Sequence, residues 1–95
     1  MNVVVSADAA ADFKRLHAFL AERDPVAASR AVAVLTSAVQ SLVELPERGR
    51  PSDLPNVREL IVPFGRSAYV LRYAYSASAE EVVVLRAWHA REERD

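Results

Sequence analysis

The sequence contains no cysteine, and it has only two glycines, one methionine and one lysine among 95 residues. Without cysteine the chain can form no disulfide, offers no thiol nucleophile and lacks the sulfur ligands of most structural zinc sites. The two histidines, His17 and His89, are far apart, and no His-Glu-x-x-His pattern, glycine-rich phosphate loop or serine elbow occurs. We therefore expect neither a metal ion nor a cofactor.

The chain also lacks an excess of either charge. Its net charge is −1, with four basic and five acidic side chains in residues 1–46 and eight of each in residues 47–95. Proteins that bind nucleic acid usually carry a clear positive excess, because contacts to phosphate supply most of their affinity. Direct binding of nucleic acid by this chain alone is not expected.

Long apolar runs are missing as well. No run approaches the roughly 18 residues of a membrane-spanning helix, and the N-terminus does not resemble a signal peptide. These absences predict a cytoplasmic protein without a membrane partner. The length predicts a single domain over residues 1–95.

The first half of the sequence predicts a strand followed by two helices. Val3–Val5 is a β-branched run, and Ser6 after it is a suitable N-cap for a helix that ends near Glu22. Asp24-Pro25 predicts a second start, with Asp as N-cap and Pro at the first helical position, for a helix that ends near Glu44. Helices joined by so short a linker must form an antiparallel hairpin.

The second half predicts a loop and then three strands. Residues 45–55 contain three prolines and a glycine, which predicts no regular structure there. Three β-type runs follow, Arg58–Val62, Ser67–Tyr75 and Val82–Trp88, with residues 63–66 and 76–81 as turns. We expect an α+β fold in which an N-terminal strand and a helical hairpin precede a three-stranded antiparallel meander, and the helices cover one face of the sheet.

Two kinds of residue can carry chemistry. His89 follows the last strand and can serve as a general acid or base, or it can be a packed histidine at a strand end; His17 is interpreted as structural. Four arginines, Arg58, Arg66, Arg72 and Arg86, can form a cationic site for phosphate or carboxylate. In the alternative interpretation their stems cover the sheet and their charges pair with Glu59 and Glu81.

Several segments resemble the RelE/ParE toxins of bacterial type II toxin–antitoxin systems. They are Arg58-Glu59-Leu60, Tyr69-Val70-Leu71-Arg72-Tyr73, the ending Leu85-Arg86-Ala87-Trp88-His89-Ala90-Arg91, and Pro46-Glu47-Arg48-Gly49 before them. The resemblance spans nearly the whole chain and rests on the order of elements more than on any one motif. It implies a toxin neutralised by an antitoxin that is encoded beside it and is similar to ParD.

The resemblance implies one of two targets. ParE-like members inhibit DNA gyrase by binding, whereas RelE-like members cut mRNA in the ribosome with basic residues and a tyrosine or histidine near the C-terminus. The near-neutral charge and the absence of any tyrosine after Tyr75 favour the ParE-like, non-enzymatic alternative. A third alternative is an interaction domain without toxicity.

Each alternative has its candidate residues. A nuclease would use His89, Arg66, Arg72 and Arg86, although no catalytic residue is favoured. Contacts to the target are expected from Arg86, Trp88, His89 and Arg91. Contacts to the antitoxin are expected from Phe13, Leu16, Leu20, Arg58 and Arg72.

Overall fold

The computed structural model describes residues 1–92 and confirms the α+β prediction. The elements are, in chain order, β1 (Asn2–Val5), α1 (Ala7–Ala21), α2 (Pro25–Glu44), β2 (Arg50–Pro51), β3 (Val57–Phe64), β4 (Ser67–Ser76) and β5 (Glu81–His89). The two helices cover one face of a five-stranded sheet. The hydrophobic core lies between the helices and the sheet and includes Leu35, Leu42, Leu71 and Tyr73.

Both helices begin at the predicted N-caps. The Ser6 hydroxyl accepts a hydrogen bond from the Ala9 N–H at 3.0 Å, and the Asp24 carboxylate accepts one from the Ala27 N–H at 3.0 Å. Each cap satisfies one of the N–H groups that a helix leaves unpaired in its first turn. Ser6 also donates to the carbonyl of Leu85 at 3.0 Å, so the same side chain that starts α1 fixes it to β5.

The second helix has the predicted bounds but is more apolar than the sequence interpretation allowed. By length and composition alone, Pro25–Glu44 would suffice to cross a membrane. Its small apolar side chains at helical spacing are buried against α1 and the sheet: Ala28, Ala31, Leu35, Ala38 and Leu42. This is the burial pattern of a core helix in a globular domain.

The sheet has the strand order β1-β5-β4-β3-β2. The predicted meander β3-β4-β5 is antiparallel, and β5 is interior to the sheet, as its apolar sequence indicated. The strand β1 pairs in parallel with β5, from Asn2 opposite Glu81 to Val5 opposite Val84. The first strand of the chain therefore pairs with the last, and the sheet is mixed.

Two boundary predictions were wrong. Residues 45–55 contain regular structure after all, since Arg50 and Pro51 form β2 opposite Glu59 and Arg58. Proline is tolerated there because β2 is an edge strand. The turn expected over residues 63–66 is tighter: Pro63 and Phe64 belong to β3, and Gly65, at φ 59°, supplies the left-handed conformation of the turn.

Strand alternation separates the two faces of the sheet. Tyr69, Leu71 and Tyr73 of β4 face the helices and are buried in the core. Arg72, which lies between two of them, must face the opposite side. The register of β5 changes opposite Arg72 and Tyr73, so that Ala87 joins the core while its neighbours Arg86 and Trp88 lie on the side of Arg72.

Candidate functional site

An apolar groove of about 440 Å³ runs between the two helices and β1. Its walls are formed by Phe13 and Leu16 of α1 and by Val32, Leu35 and Val39 of α2. The other side chains that line it are Val3 and Val5 of β1, Tyr69 of β4, Ala31, and the polar residues His17, Thr36 and Gln40. Val32 is 47% exposed and Val5 is 42% exposed, so the groove presents apolar surface to solvent. Such a surface is typical of sites that bind an apolar face of another molecule.

The groove explains some of the residues that were expected to contact a partner. Phe13 and Leu16 line it, as the prediction for a binding surface on the hairpin requires. Leu20 packs against the core and lies outside it. The α2 side of the groove was missed, although Val32 and Val39 repeat at helical spacing; periodicity alone does not show which apolar residues remain uncovered.

One end of the sheet gathers three aromatic rings. The Tyr69 ring lies 5.6 Å from the Phe64 ring and 5.5 Å from the His89 ring, which it meets edge-on at 87°. Burial, with the negative charge of Glu92 as a smaller cause, raises the pKa of Tyr69 above its ordinary value. Its hydroxyl therefore stays protonated at neutral pH. Tyr69 also lines the groove, so the groove reaches this end of the sheet.

His89 is held in a defined orientation. Its Nδ1 accepts a hydrogen bond from the Arg91 N–H at 3.1 Å, and its own backbone N–H donates to the Glu92 carboxylate at 2.7 Å. Because Nδ1 is an acceptor, the neutral ring carries its proton on Nε2. In this tautomer Nε2 is free to donate a hydrogen bond, while Nδ1 is occupied by the Arg91 N–H.

Two arginines lie at the same end of the sheet without an acidic partner. Arg66 is in the turn before β4, and Arg91 follows Ala90, whose N–H bonds to the Ala68 carbonyl at 2.9 Å. Within residues 1–92 neither forms an ion pair. Arg66 and Arg91 thus bring two positive charges to this end of the sheet beside His89, and we refer to these three residues as the cationic end.

The other two arginines of the expected nuclease set are already paired. Arg72 donates two hydrogen bonds, of 3.1 and 2.9 Å, to one carboxylate oxygen of Glu59, and its guanidinium stacks on the Trp88 ring at 4.8 Å. Arg86 donates to Asp12 at 2.8 and 3.2 Å. The hydrogen bonds that Arg86 donates to the Asp12 carboxylate raise the pKa of Arg86, which keeps it fully charged. The expected pairing of an arginine with Glu59 is confirmed, since Arg72 forms it. Arg86 pairs with Asp12 and not with Glu81.

The structure does not bring the expected nuclease residues into one place. Arg72 and Arg86 are cross-strand neighbours, but Arg72 faces the side of the sheet opposite the helices, whereas the Arg86 guanidinium bonds to Asp12 of α1. His89 lies on the helix side of β5, with its ring against Tyr69. A phosphate bound by Arg72 would be on the other face of the sheet from the His89 ring, and a phosphate bound by Arg86 would have to displace Asp12.

Two further candidates have structural contacts. Trp88 is only 7% exposed, so most of it is unavailable to a target. Arg58 donates to the backbone carbonyls of Gly49 and Glu47 and so holds the loop before β2. No group of three or more histidine, aspartate or glutamate side chains that could hold a metal ion occurs within residues 1–92.

The strand, helical hairpin and mixed sheet define a member of the RelE/ParE toxin superfamily. A solved structure described as the chromosomal ParDE toxin–antitoxin system from P. aeruginosa superposes with a TM-score of 0.73 and 25% sequence identity, over 94% of this chain and 95% of that one. The chain belongs to the family of ParE toxins of type II toxin–antitoxin systems, whose model matches residues 3–94.

Named relatives agree with this assignment. The chain is 50% identical to Toxin RelE1 of Caulobacter vibrioides, over 98% of this chain and 97% of that protein. It is 37% identical to Toxin RelE3 of the same organism, over 87% of each. A third relative, Putative toxin Y4kP of Sinorhizobium fredii, is 36% identical over 74% of this chain and 71% of that protein. The protein is thus a toxin of a type II system, with an antitoxin as partner.

Proposed function

We propose that this toxin acts in the cytoplasm by binding DNA gyrase and inhibiting it, without catalysing a reaction of its own. The observation that supports the proposal is that the His89 ring and Arg72 lie on opposite faces of the sheet, while Arg86 is paired with Asp12 of α1. General acid–base cleavage of RNA needs a proton-transfer group and a phosphate-binding cation on the same substrate atoms. Membership in the ParE family and the near-neutral charge support the same proposal.

The cationic end is the surface that we assign to the target. Its charges are not consumed by ion pairs within residues 1–92, in contrast to those of Arg72 and Arg86. His89 and Arg91 were expected to contact the target, and Arg66 joins them because the β3–β4 turn reaches the same end. Exposed cations at an interface accelerate and orient association with an acidic partner surface.

A supercoiling assay with purified gyrase tests the proposal. Addition of the toxin is expected to reduce supercoiling, and Arg66→Gln combined with Arg91→Gln is expected to weaken this inhibition about tenfold or more. Arg30→Gln, an exposed arginine on α2, is the matched control and should leave it unchanged. Full supercoiling at saturating wild-type toxin, without a trapped DNA cleavage complex, would contradict gyrase as the target.

Mapping of mRNA ends after induction tests the nuclease alternative. If cleavage appears within translated messages and His89→Ala abolishes both the cleavage and the growth arrest, the toxin is a ribosome-dependent endonuclease.

A colony count after expression without antitoxin tests the remaining alternative. Normal colony numbers would identify an interaction domain without toxicity.

The groove is the surface that we assign to the antitoxin. A helix with apolar residues on one face can fill a groove lined by Phe13, Leu16, Val32 and Val39, as amphipathic helices do in other grooves. Val32→Glu should weaken the toxin–antitoxin complex about tenfold or more, because it places an unpaired charge in the buried interface. Val26→Glu is the matched control, since Val26 is 62% exposed at the hairpin tip and outside the groove. Equal affinities of the two variants would contradict the assignment.

A further inference from the structure

A second cavity, also of about 440 Å³, lies at the end of the sheet opposite the cationic end. One wall is formed by the segment between α2 and β3, including Glu47, Pro51 and Leu54. The other is formed by Arg58 at the start of β3 and Tyr75 at the end of β4. Polar and apolar groups share this lining, which distinguishes the cavity from the groove between the helices.

Arg58 is fixed in this cavity by carbonyl groups alone. Its Nη1 donates to the Gly49 carbonyl at 2.8 Å and to the Glu47 carbonyl at 3.2 Å. Four other arginines, Arg15, Arg50, Arg72 and Arg86, pair with carboxylates, whereas Arg58 forms no ion pair with any of residues 1–92. A half-buried cation that has lost part of its hydration without gaining an anion is favourable to any ligand that brings one.

Tyr75 adds a second donor. Its ring lines the cavity, and its hydroxyl makes no hydrogen bond to the described part of the chain. Its backbone is anchored, since the Tyr75 N–H donates to the Asn56 carbonyl at 2.9 Å. A guanidinium with unused N–H groups and a phenol hydroxyl can bind the two oxygens of one carboxylate.

The remaining lining indicates what carries that carboxylate. Leu54 is 60% exposed, and Pro51 and Pro55 extend the apolar surface beside it. Glu47 at the same cavity would repel a polyanion such as RNA, and Arg58 is the one cation in the lining. These features fit a single carboxylate next to an apolar side chain, as a protein segment presents them.

We propose that this cavity is a binding site for one aspartate or glutamate side chain of the antitoxin, with an apolar neighbour of that residue packed on Leu54. This inference rests on the antitoxin partnership and is independent of the identity of the toxin's target. It gives the complex a second contact, at the other end of the sheet from Tyr69, which lines the groove.

Calorimetric titration of the toxin with the full-length antitoxin tests the proposal. Arg58→Gln is expected to weaken binding about tenfold or more and to reduce its salt dependence, and Tyr75→Phe to weaken it about threefold to tenfold. Leu54→Ser is expected to have an effect similar to that of Tyr75→Phe. Arg30→Gln is the control and should change affinity less than about twofold, as expected for a surface charge outside the interface.

Tyr75→Phe and Leu54→Ser decide the matter even if Arg58→Gln loosens its loop, because the Tyr75 hydroxyl makes no hydrogen bond within residues 1–92 and the Leu54 side chain is 60% exposed. If both bind the antitoxin as tightly as the wild type does, the proposal is overturned. Each antitoxin aspartate or glutamate can also be replaced by its amide. One of these replacements should weaken binding to the wild-type toxin but not to Arg58→Gln. If none does, Arg58 has no acidic partner in the antitoxin. The gyrase assay does not measure antitoxin binding. If gyrase proves not to be the target, the result of the antitoxin titration is therefore unaffected.

Discussion

Tyr73 joins the loop after α2 to the middle of the sheet with a single hydroxyl. The hydroxyl donates to the Pro46 carbonyl at 2.7 Å and accepts from the Gly49 N–H at 2.9 Å. These two contacts explain the Pro-x-x-Gly spacing, because the Pro46 carbonyl and the Gly49 N–H must both lie within hydrogen-bond distance of one phenol oxygen. Burial, partly offset by the Gly49 hydrogen bond, raises the pKa of Tyr73.

Gly49→Ala is expected to destabilise the protein. A Cβ at Gly49 would lie 2.7 Å from the Tyr73 hydroxyl, 2.8 Å from its Cε1 and 3.0 Å from the Glu59 carbonyl, so the ring or the backbone must shift. Overpacking of this kind costs about 1–3 kcal/mol, which a urea titration detects as a lower midpoint. Gly65→Asn is the control: Gly65 has open space around it and a φ of 59°, which asparagine tolerates. A midpoint for Gly49→Ala equal to that of the control would argue against close packing at Tyr73.

Tyr73→Phe is expected to change how stability depends on pH. A raised pKa in the folded state means that the folded protein holds this proton more tightly than the unfolded chain does. The contribution of this proton to the free energy of unfolding is fully present below about pH 10, the ordinary tyrosine pKa. It is lost as the pH rises through the folded-state pKa of Tyr73. Urea titrations between pH 8 and 11 should show a smaller alkaline loss for Tyr73→Phe than for the wild type. Tyr69→Phe is the companion variant, because the pKa of Tyr69 is raised as well. Parallel curves for Tyr73→Phe and the wild type would refute this account.

Among the elements, α1 and β5 are joined where β1 ends. The strand β1 covers the edge of β5 only as far as Val84. Beyond that point Asp12, only 4% exposed, accepts a hydrogen bond from the Ala87 N–H at 2.9 Å and takes the place of a strand neighbour. A helix side chain thereby satisfies a backbone group that the short strand leaves uncovered.

Asp12→Ala is expected to lower the free energy of unfolding by about 1–3 kcal/mol, because the Ala87 N–H loses its acceptor in a buried position. Arg86→Gln should have a smaller effect, because the Arg86 side chain is 39% exposed and can return to water. Thermal unfolding followed by circular dichroism compares the two variants. If Arg86→Gln is the more damaging, the ion pair rather than the backbone contact holds α1 in place.

The helices could be predicted from the sequence because their signals are local. Ser6 and Asp24-Pro25 specify where each helix begins, and the apolar spacing of Phe13, Leu16 and Leu20 specifies which side is buried. The site could be predicted only in part. Phe13 and Leu16 are recognisable from periodicity, whereas the pairing of Arg86 with Asp12 joins residues 74 positions apart and leaves no trace in local spacing.

Sheet pairing accounts for the other differences. Nothing near Val3–Val5 shows that this strand pairs with β5, because a parallel pair is not joined by a turn. The strand β2 was missed because it is two residues long and contains Pro51. The position of His89 relative to Arg72 depends on the register change in β5, and a shift of one residue moves every later side chain to the other face.

At the scale of the whole molecule, the two ends of the described chain meet in the β1–β5 pair. The N–H groups of Asn2 and Ser6 donate to the carbonyls of Glu80 and Val84, at 2.9 and 3.0 Å. In a parallel ladder this alternation directs the N–H of Val4 toward β5 as well, and those of Val3 and Val5 away from it.

Val4→Pro is therefore expected to detach β1, whereas Val5→Pro should preserve the ladder. The two valines are 44% and 42% exposed, so the loss of apolar burial is similar for both. Proline removes the donor of a ladder hydrogen bond only at Val4. Amide hydrogen exchange should show faster exchange at Asn2 and Ser6 in Val4→Pro than in Val5→Pro. Equal exchange in the two variants would mean that β1 is held by its side chains rather than by the ladder.

The distance along the chain between β1 and its partner also sets an order of events in folding. Ser6 bonds to Leu85, 79 residues further on, so this pair closes a long loop and is expected to form after the meander, whose strands are joined by short turns. Val3 and Val5, which complete the groove, are consequently among the last residues to reach their final positions. If the antitoxin binds the groove, we therefore expect it to recognise the folded toxin in preference to a partly folded chain in which β1 is not yet in place.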